Sequence, residues 1–230
     1  MILQPEQIEK FYTDGYLEIP VKKSVISKKL FSSLHDIQKK ILPTGFSLTN
    51  SKFEHGYDLD PAPYKMDPVY LDFIDDQKIL FILSQLGYGN LKLGYCKVRS
   101  AAGGKSYTTP HRDTQFYLNK KKGNIPPLIN LNIYYQHSGP SRQLYIYPGT
   151  HIRHQTLGIF DRIVSFFRPK KIINSSNTNM LLFNTAVWHK VPKLSGNNHV
   201  RLIYSFAFPH QLSSTYFSAQ YDLQKYLEKR

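Results

Sequence analysis

The stretch TTPHRDTQFY, residues 108–117, places a histidine and an aspartate two positions apart. On a strand, residues i and i+2 project to the same side, so His111 and Asp113 can reach one ion while Arg112 points away. Two His and one carboxylate on one side of an ion, with the opposite side open, suit a non-haem Fe(II) that activates oxygen. The spacing alone decides little: the chain has nine His, and roughly 0.4 His-x-Asp pairs arise by chance at this composition. A second His from a distant segment is required. His189, in NTAVWHKVP, is the preferred candidate. His199 competes for the role, but two residues before Arg201 it would crowd that residue's strand face. Arg201, in HVRLIYSF, is a cation set among apolar residues, and its planar fork suits a buried carboxylate.

Other residues offer weaker chemistry. Tyr95, Lys97 and Arg99 alternate along one strand, and two accounts of them stand side by side: a phenol and two cations facing a cavity, or a solvated edge face. His151 and His154 form an H-x-x-H after a Pro-Gly turn without a third partner, which reads as a surface loop. GGKS at 103–106 lacks the first glycine of a phosphate loop, because position 99 is Arg, and reads as a flexible connection. Cys96 has the opposite parity from its neighbours and reads as a small buried hydrophobe.

The elements that must position these groups fall into two halves. Residues 4–13, QPEQIEKFYT, carry Pro5 in a first helical turn and Ile8, Phe11 and Tyr12 on one face, and Asp14 and Gly15 stop the helix. The strand YLEIPV follows. Ser24 is suited to cap a second helix with Leu30, Leu34, Ile37 and Ile41 at helical spacing and Lys28, Lys29, Lys39 and Lys40 turned outward. Gly45 to Pro68 reads as a long loop, and a third helix is expected within 67–87. From Gly89 onward come short runs rich in β-branched and aromatic residues: LKLGYCKVR, LINLNIYYQ, QLYIYP, MLLFN, AVWHKV and HVRLIYSFAF. In LINLNIYYQ, Asn130, Asn132, Tyr134 and Gln136 share one face and Ile129, Leu131, Ile133 and Tyr135 the other, a pattern suited to a barrel or jelly roll with a ligand in its mouth. The expected organisation is a single domain over 1–230: a mostly helical flank at 1–88, a β core at 89–210, and a C-terminal helix or tail at 211–230.

Bulk properties bound the partners. A chain of 230 residues with 41% apolar residues can bury a substantial core. No apolar run approaches the length of a membrane span. The single cysteine and the absence of a basic, apolar leader lead us to expect a cytoplasmic protein. The net charge of +14 invites anionic partners, whether a small anionic substrate or nucleic acid, but the lysines are scattered, with short clusters only at Lys120 to Lys122 and at Lys170 and Lys171, and base composition of the genome is the preferred account of them.

Four pieces in order, a helix followed by DGYLEIP, HRD at 111–113, YPGTH at 147–151, and WHKV followed by Arg201, resemble the phytanoyl-CoA dioxygenase family of Fe(II)- and 2-oxoglutarate-dependent oxygenases. The resemblance spans nearly the whole chain. It implies a mainly β fold with N-terminal helices, a double-stranded β-helix of the jelly-roll, cupin-like kind. It also implies that His111, Asp113 and His189 are catalytic metal ligands for Fe(II), that Arg201 clamps the distal carboxylate of 2-oxoglutarate, and that Asn132 lies near the cosubstrate. The chain departs from the family pattern at Arg112, where Gln is common, and at Ile203, two beyond the clamp. Asp113 itself argues for hydroxylation, since halogenases of related fold carry a small residue in its place. The activity implied is hydroxylation of an aliphatic C–H of a small metabolite (an amino acid, sugar or lipid-derived acid) with O2, releasing succinate and CO2. The alternative is the same chemistry on a nucleic acid or another macromolecular or phosphorylated anionic substrate. Tyr95 and Lys97 are the candidate substrate contacts.

Overall fold

The structure, a computed structural model, describes residues 2–20, 28–37, 46–48, 57–59, 61–75, 78–101, 110–113, 128–135, 142–153, 163, 167–175, 179–191, 199–212 and 223–227. Ser24, Ile41, Lys39, Lys40, Lys120 to Lys122, GGKS and His154 lie outside these residues. Helix α1, Pro5–Asp14, has Pro5 in its first turn and closes where Gly15, at φ +82°, turns its N–H back to Phe11 O. Only Phe11 of its expected apolar face is fully buried; Tyr12 is exposed, and its hydroxyl donates to Leu86 O at 2.8 Å. Strand β1, Tyr16–Pro20, follows directly, and helix α2, Lys28–Asp36, buries Leu30 and Leu34.

Two sequence expectations change here. The segment 45–68, read as a loop, holds strands β2, Phe46–Leu48, and β3, Tyr57–Leu59, and a short helix α3, Pro63–Met66. β3 pairs with the long strand β4, Lys92–Ala101, and that pairing rather than local propensity makes it a strand. The single helix expected within 67–87 is two, α4, Val69–Asp75, and α5, Lys78–Gln85, on either side of the polar pair Asp76 and Gln77. Asp67 starts α4 by accepting the Val69 N–H at 3.0 Å.

The remaining strands are β5, Ile129–Tyr135; β6, Arg142–Ile146; β7, Lys171–Ser175; β8, Asn179–Asn184; β9, His189–Lys190; and β10, His199–Ala207. They form two antiparallel sheets. Among the described residues the larger runs β1-β8-β5-β10-β4-β3-β2 and the smaller β7-β6-β9. Neighbours in the larger sheet are mostly distant in sequence, because the chain crosses between sheets as it winds. This is a double-stranded β-helix.

Register assigns the faces. Residues directly opposite in an antiparallel pair project to the same side. Leu181 and Phe183 of β8 join Leu144, Ile146, Ile173, Val187 and Val191 in a core between the sheets. Asn132 and Asn130 stand opposite Leu181 and Phe183, Ile203 and Ser205 opposite Asn132 and Asn130, Arg99 opposite Arg201, and Asp58 opposite Arg99. The face toward the smaller sheet is therefore strongly polar along its centre. The other face carries Ile129, Leu131, Ile133, Cys96, Val98, Leu202, Tyr204 and Phe206, and packs with α2, α4 and α5 into the main core. At about 1.5–3 kcal/mol per large buried side chain, that layer can offset the desolvation of the polar face.

Candidate metal centre

His111 and His189 meet through their backbones before their side chains. His111 N–H donates to His189 O and His189 N–H to His111 O, both at 3.0 Å, so the HRD segment extends the edge of the smaller sheet beyond β9. A pair that exchanges both bonds points its side chains the same way, and the two rings lie 4.4 Å apart. Asp113 joins them: its Oδ1 lies 3.4 Å from His111 Nε2 and 3.5 Å from His189 Nε2. One ligand atom from each of the three falls within 4.8 Å of the others, and theirs is the group of metal-binding type that the described residues bring together.

The local surroundings set the chemistry of each donor. His189 Nδ1 faces Val187 O at 3.0 Å. A carbonyl only accepts, so Nδ1 carries a proton, and Nε2 is the nitrogen turned to the centre, able to give up any proton it holds to a binding ion. The Phe183 ring packs edge-on against His189 at 5.1 Å. The Asp113 N–H donates to Thr185 O at 3.1 Å, and Asp113 Oδ2 accepts from Asn130 Nδ2 at 2.8 Å. Burial alone would raise the Asp113 carboxyl; the neighbouring His189 and His111 reverse this and hold it well below the usual carboxylate range. A carboxylate oxygen and two imidazole Nε2 atoms converging in this way fit a divalent transition metal.

Arg112 departs from this group as its parity requires. Its guanidinium is fully buried, donates to Thr150 O at 2.8 Å and lies 5.4 Å from the Trp188 ring. Thr150 Oγ1 in turn accepts the Trp188 N–H at 2.9 Å. HRD, PGTH and WHK are thus one packed unit. DGY joins it, with Gly149 N–H donating to Asp14 O at 3.0 Å and His151 Nε2 2.9 Å from Tyr12 O. His151 belongs to this joint and not to the metal group.

Arg201 lies on β10 on the same inner face; its side chain is buried and its Nε has no hydrogen-bond partner among the described residues. An orphaned donor on a buried cation fits an incoming carboxylate. Asn132 is buried on the same face, opposite Ile203, which packs with Tyr95, Leu128 and Ala207 as an apolar wall. Tyr95, Lys97 and Arg99 are buried, so the solvated account of them fails. Lys97 Nζ stands 4.8 Å from the Tyr95 ring and 3.9 Å from Asp58 Oδ2, while Arg99 holds Asp58 with two bonds of 2.7 and 3.0 Å.

Sequence reasoning missed Asp58 and Asn130. Asp58 fell in a stretch whose composition says loop. The alternation in LINLNIYYQ did put Asn130 on the inner face, but nothing local tells which residue of that face stands beside Asp113.

No family model and no curated protein matches the chain. Its fold is that of several crystal structures. SnoK, a non-heme alpha ketoglutarate dependent carbocyclase from nogalamycin biosynthesis, aligns at TM-score 0.68 and 13% identity over 90% of this chain and 84% of its own. EvdO2 from Micromonospora carbonacea var. aurantiaca, complexed with 2-oxoglutarate, aligns at 0.62 and 16% over 90% and 91%. HygX from Streptomyces hygroscopicus, with nickel, 2-oxoglutarate and hygromycin B bound, aligns at 0.62 and 14% over 90% and 88%. Likeness at these identities establishes the shared architecture.

Proposed function

We propose that this chain is an Fe(II)- and 2-oxoglutarate-dependent dioxygenase, with motifs that resemble those of the phytanoyl-CoA dioxygenase family, and that it oxidises an aliphatic C–H of a small molecule. The observation that carries the reading is the convergence of His111, Asp113 and His189 from segments nearly eighty positions apart. When bound, Fe(II) with 2-oxoglutarate supplies an O2-dependent oxidation coupled to release of succinate and CO2. The chain's own residues bind and orient. His111, Asp113 and His189 hold the ion from one side, with His189 locked in its tautomer by Val187 O. Arg201 takes the distal carboxylate of 2-oxoglutarate through charge-assisted bonds, with Asn132 beside it. Tyr95 and Lys97 serve the substrate side, and Ile203 and Leu128 help exclude water.

Hydroxylation is the outcome we assign to the C–H oxidation. The fold neighbours include a carbocyclase and an epimerase, so the end product depends on how substrate is held. The net charge of +14 favours a second reading, the same chemistry on a nucleic acid or other large anion. We further propose one oxygenase domain acting in the cytoplasm, where Cys96 stays reduced; among the described residues no helix is long and apolar enough to cross a membrane.

Anaerobic addition of Fe(II) and 2-oxoglutarate should produce a weak metal-to-ligand charge-transfer absorption. His111→Ala, Asp113→Ala and His189→Ala should each abolish it. Arg201→Leu should keep metal binding and weaken 2-oxoglutarate binding by about thirtyfold, the worth of a charge-assisted hydrogen bond of about 2 kcal/mol. Wild-type protein that gives no band, and no succinate with any substrate offered, ends the proposal.

A further inference from the structure

We infer that Asn130 is a positioning residue for the metal centre, tying up one oxygen of Asp113 so that the carboxylate offers only the other to the ion. This rests on the metal-site reading above. The two oxygens of Asp113 have different surroundings. Oδ1 lies where both imidazole nitrogens converge, 3.4 and 3.5 Å away. Oδ2 accepts the 2.8 Å bond from Asn130 Nδ2. An ionised carboxylate can only accept, so the amide must turn its NH2 toward Asp113, which fixes its orientation.

Both partners are held rigidly. Asn130 is buried on β5, which pairs on both sides, with Ser205 and Phe183 as its cross-strand neighbours. Asp113 is fixed at its backbone by Thr185 O, and Thr185 is locked to Leu128 by two bonds, Thr185 N–H to Leu128 O at 2.9 Å and Leu128 N–H to Thr185 Oγ1 at 3.1 Å. Asn130 Oδ1 is buried with no hydrogen-bond partner among the described residues. Leaving such an acceptor unmade is unfavourable, and the fold accepts this while the donor end serves Asp113. A carboxylate with both oxygens available can occupy two positions around an ion. With one oxygen withheld it occupies one, and a further position stays open for the small molecules this chemistry must admit. Groups that orient a metal ligand in this way typically change metal affinity by about 10- to 100-fold when removed.

Asn130→Leu keeps the volume and removes the donor; Asn130→Ala serves if the leucine variant does not fold. Three quantities are measured on each: Mn(II) affinity by calorimetry, the infrared difference between Mn(II)-loaded and metal-free protein, and the thermal midpoint of the metal-free protein. The expected result is an affinity loss of about 10- to 100-fold. The carboxylate stretches should draw closer together as Asp113 takes the ion with both oxygens, and the metal-free midpoint should stay close to wild type. Unchanged affinity and an unchanged spectrum overturn the inference. So does a lowered metal-free midpoint with affinity per folded molecule intact, which would make Asn130 a packing residue. Wild-type protein that binds no Mn(II) removes the metal-site reading, and this inference with it.

Discussion

Asp58 carries a negative charge into the face that also holds Lys97, Arg99 and Arg201. Burial works to raise its carboxyl, and Lys97, Arg99 and Arg201 more than reverse the effect, so it titrates well below the ordinary 3.8. A carboxyl depressed in the folded state contributes stability that is complete above its unfolded pKa of about 4 and is lost as pH falls toward the folded value. Removing one partner of a buried ion pair leaves the other charge uncompensated, at a cost of about 3–5 kcal/mol. Asp58→Asn should therefore lower stability at neutral pH by about that amount. Its denaturant midpoint should also fall less steeply than wild type between about pH 5 and 3, because the titrating group is gone. A parallel acid limb in the two proteins would show that Asp58 is not the group responsible.

At the scale of elements, the joint between α1 and the PGTH turn governs where the metal segment sits. Gly15 ends α1 at φ +82°, and a Cβ there would stand 2.3 Å from Val187 Cγ2 and 2.6 Å from His151 Nδ1. Gly15→Ala combines left-handed strain with a clash against the segment whose carbonyl orients His189, and should cost about 2–4 kcal/mol by thermal or chemical denaturation. A near-neutral effect would mean the joint is soft. The same joint explains why much of the fold was legible: Pro5 and Gly15 bracket α1, and strict alternation marks β5, because both signals are local. The pair β2 and β3 was not legible, since three-residue strands in a Gly-, Asn- and Asp-rich stretch exist by virtue of pairing, β3 with β4 and β2 with β3. Of the candidate site, the metal group and the buried Arg201 could be anticipated from residue type and parity. Asn130 and Asp58 could not, because their partners are set by register between strands distant in sequence.

For the molecule as a whole, metal and cosubstrate should act as cross-links. They would join the HRD segment, the β9 edge and β10, which approach one another only in the folded chain, so they bind the native state alone. At about 100 times the dissociation constant the gain is about 2.7 kcal/mol, or about 5–10 °C in thermal midpoint for a chain of this size. A midpoint unmoved by Mn(II) with 2-oxoglutarate would contradict this. The His111–His189 backbone pair has one more consequence. Because side chains alternate along a strand, slippage of that edge by a single residue would swing one imidazole to the opposite face and release the ion. Under the proposed function the metal would proofread the register of the small sheet, since a misthreaded edge could not gather the two imidazoles and the carboxylate around one ion.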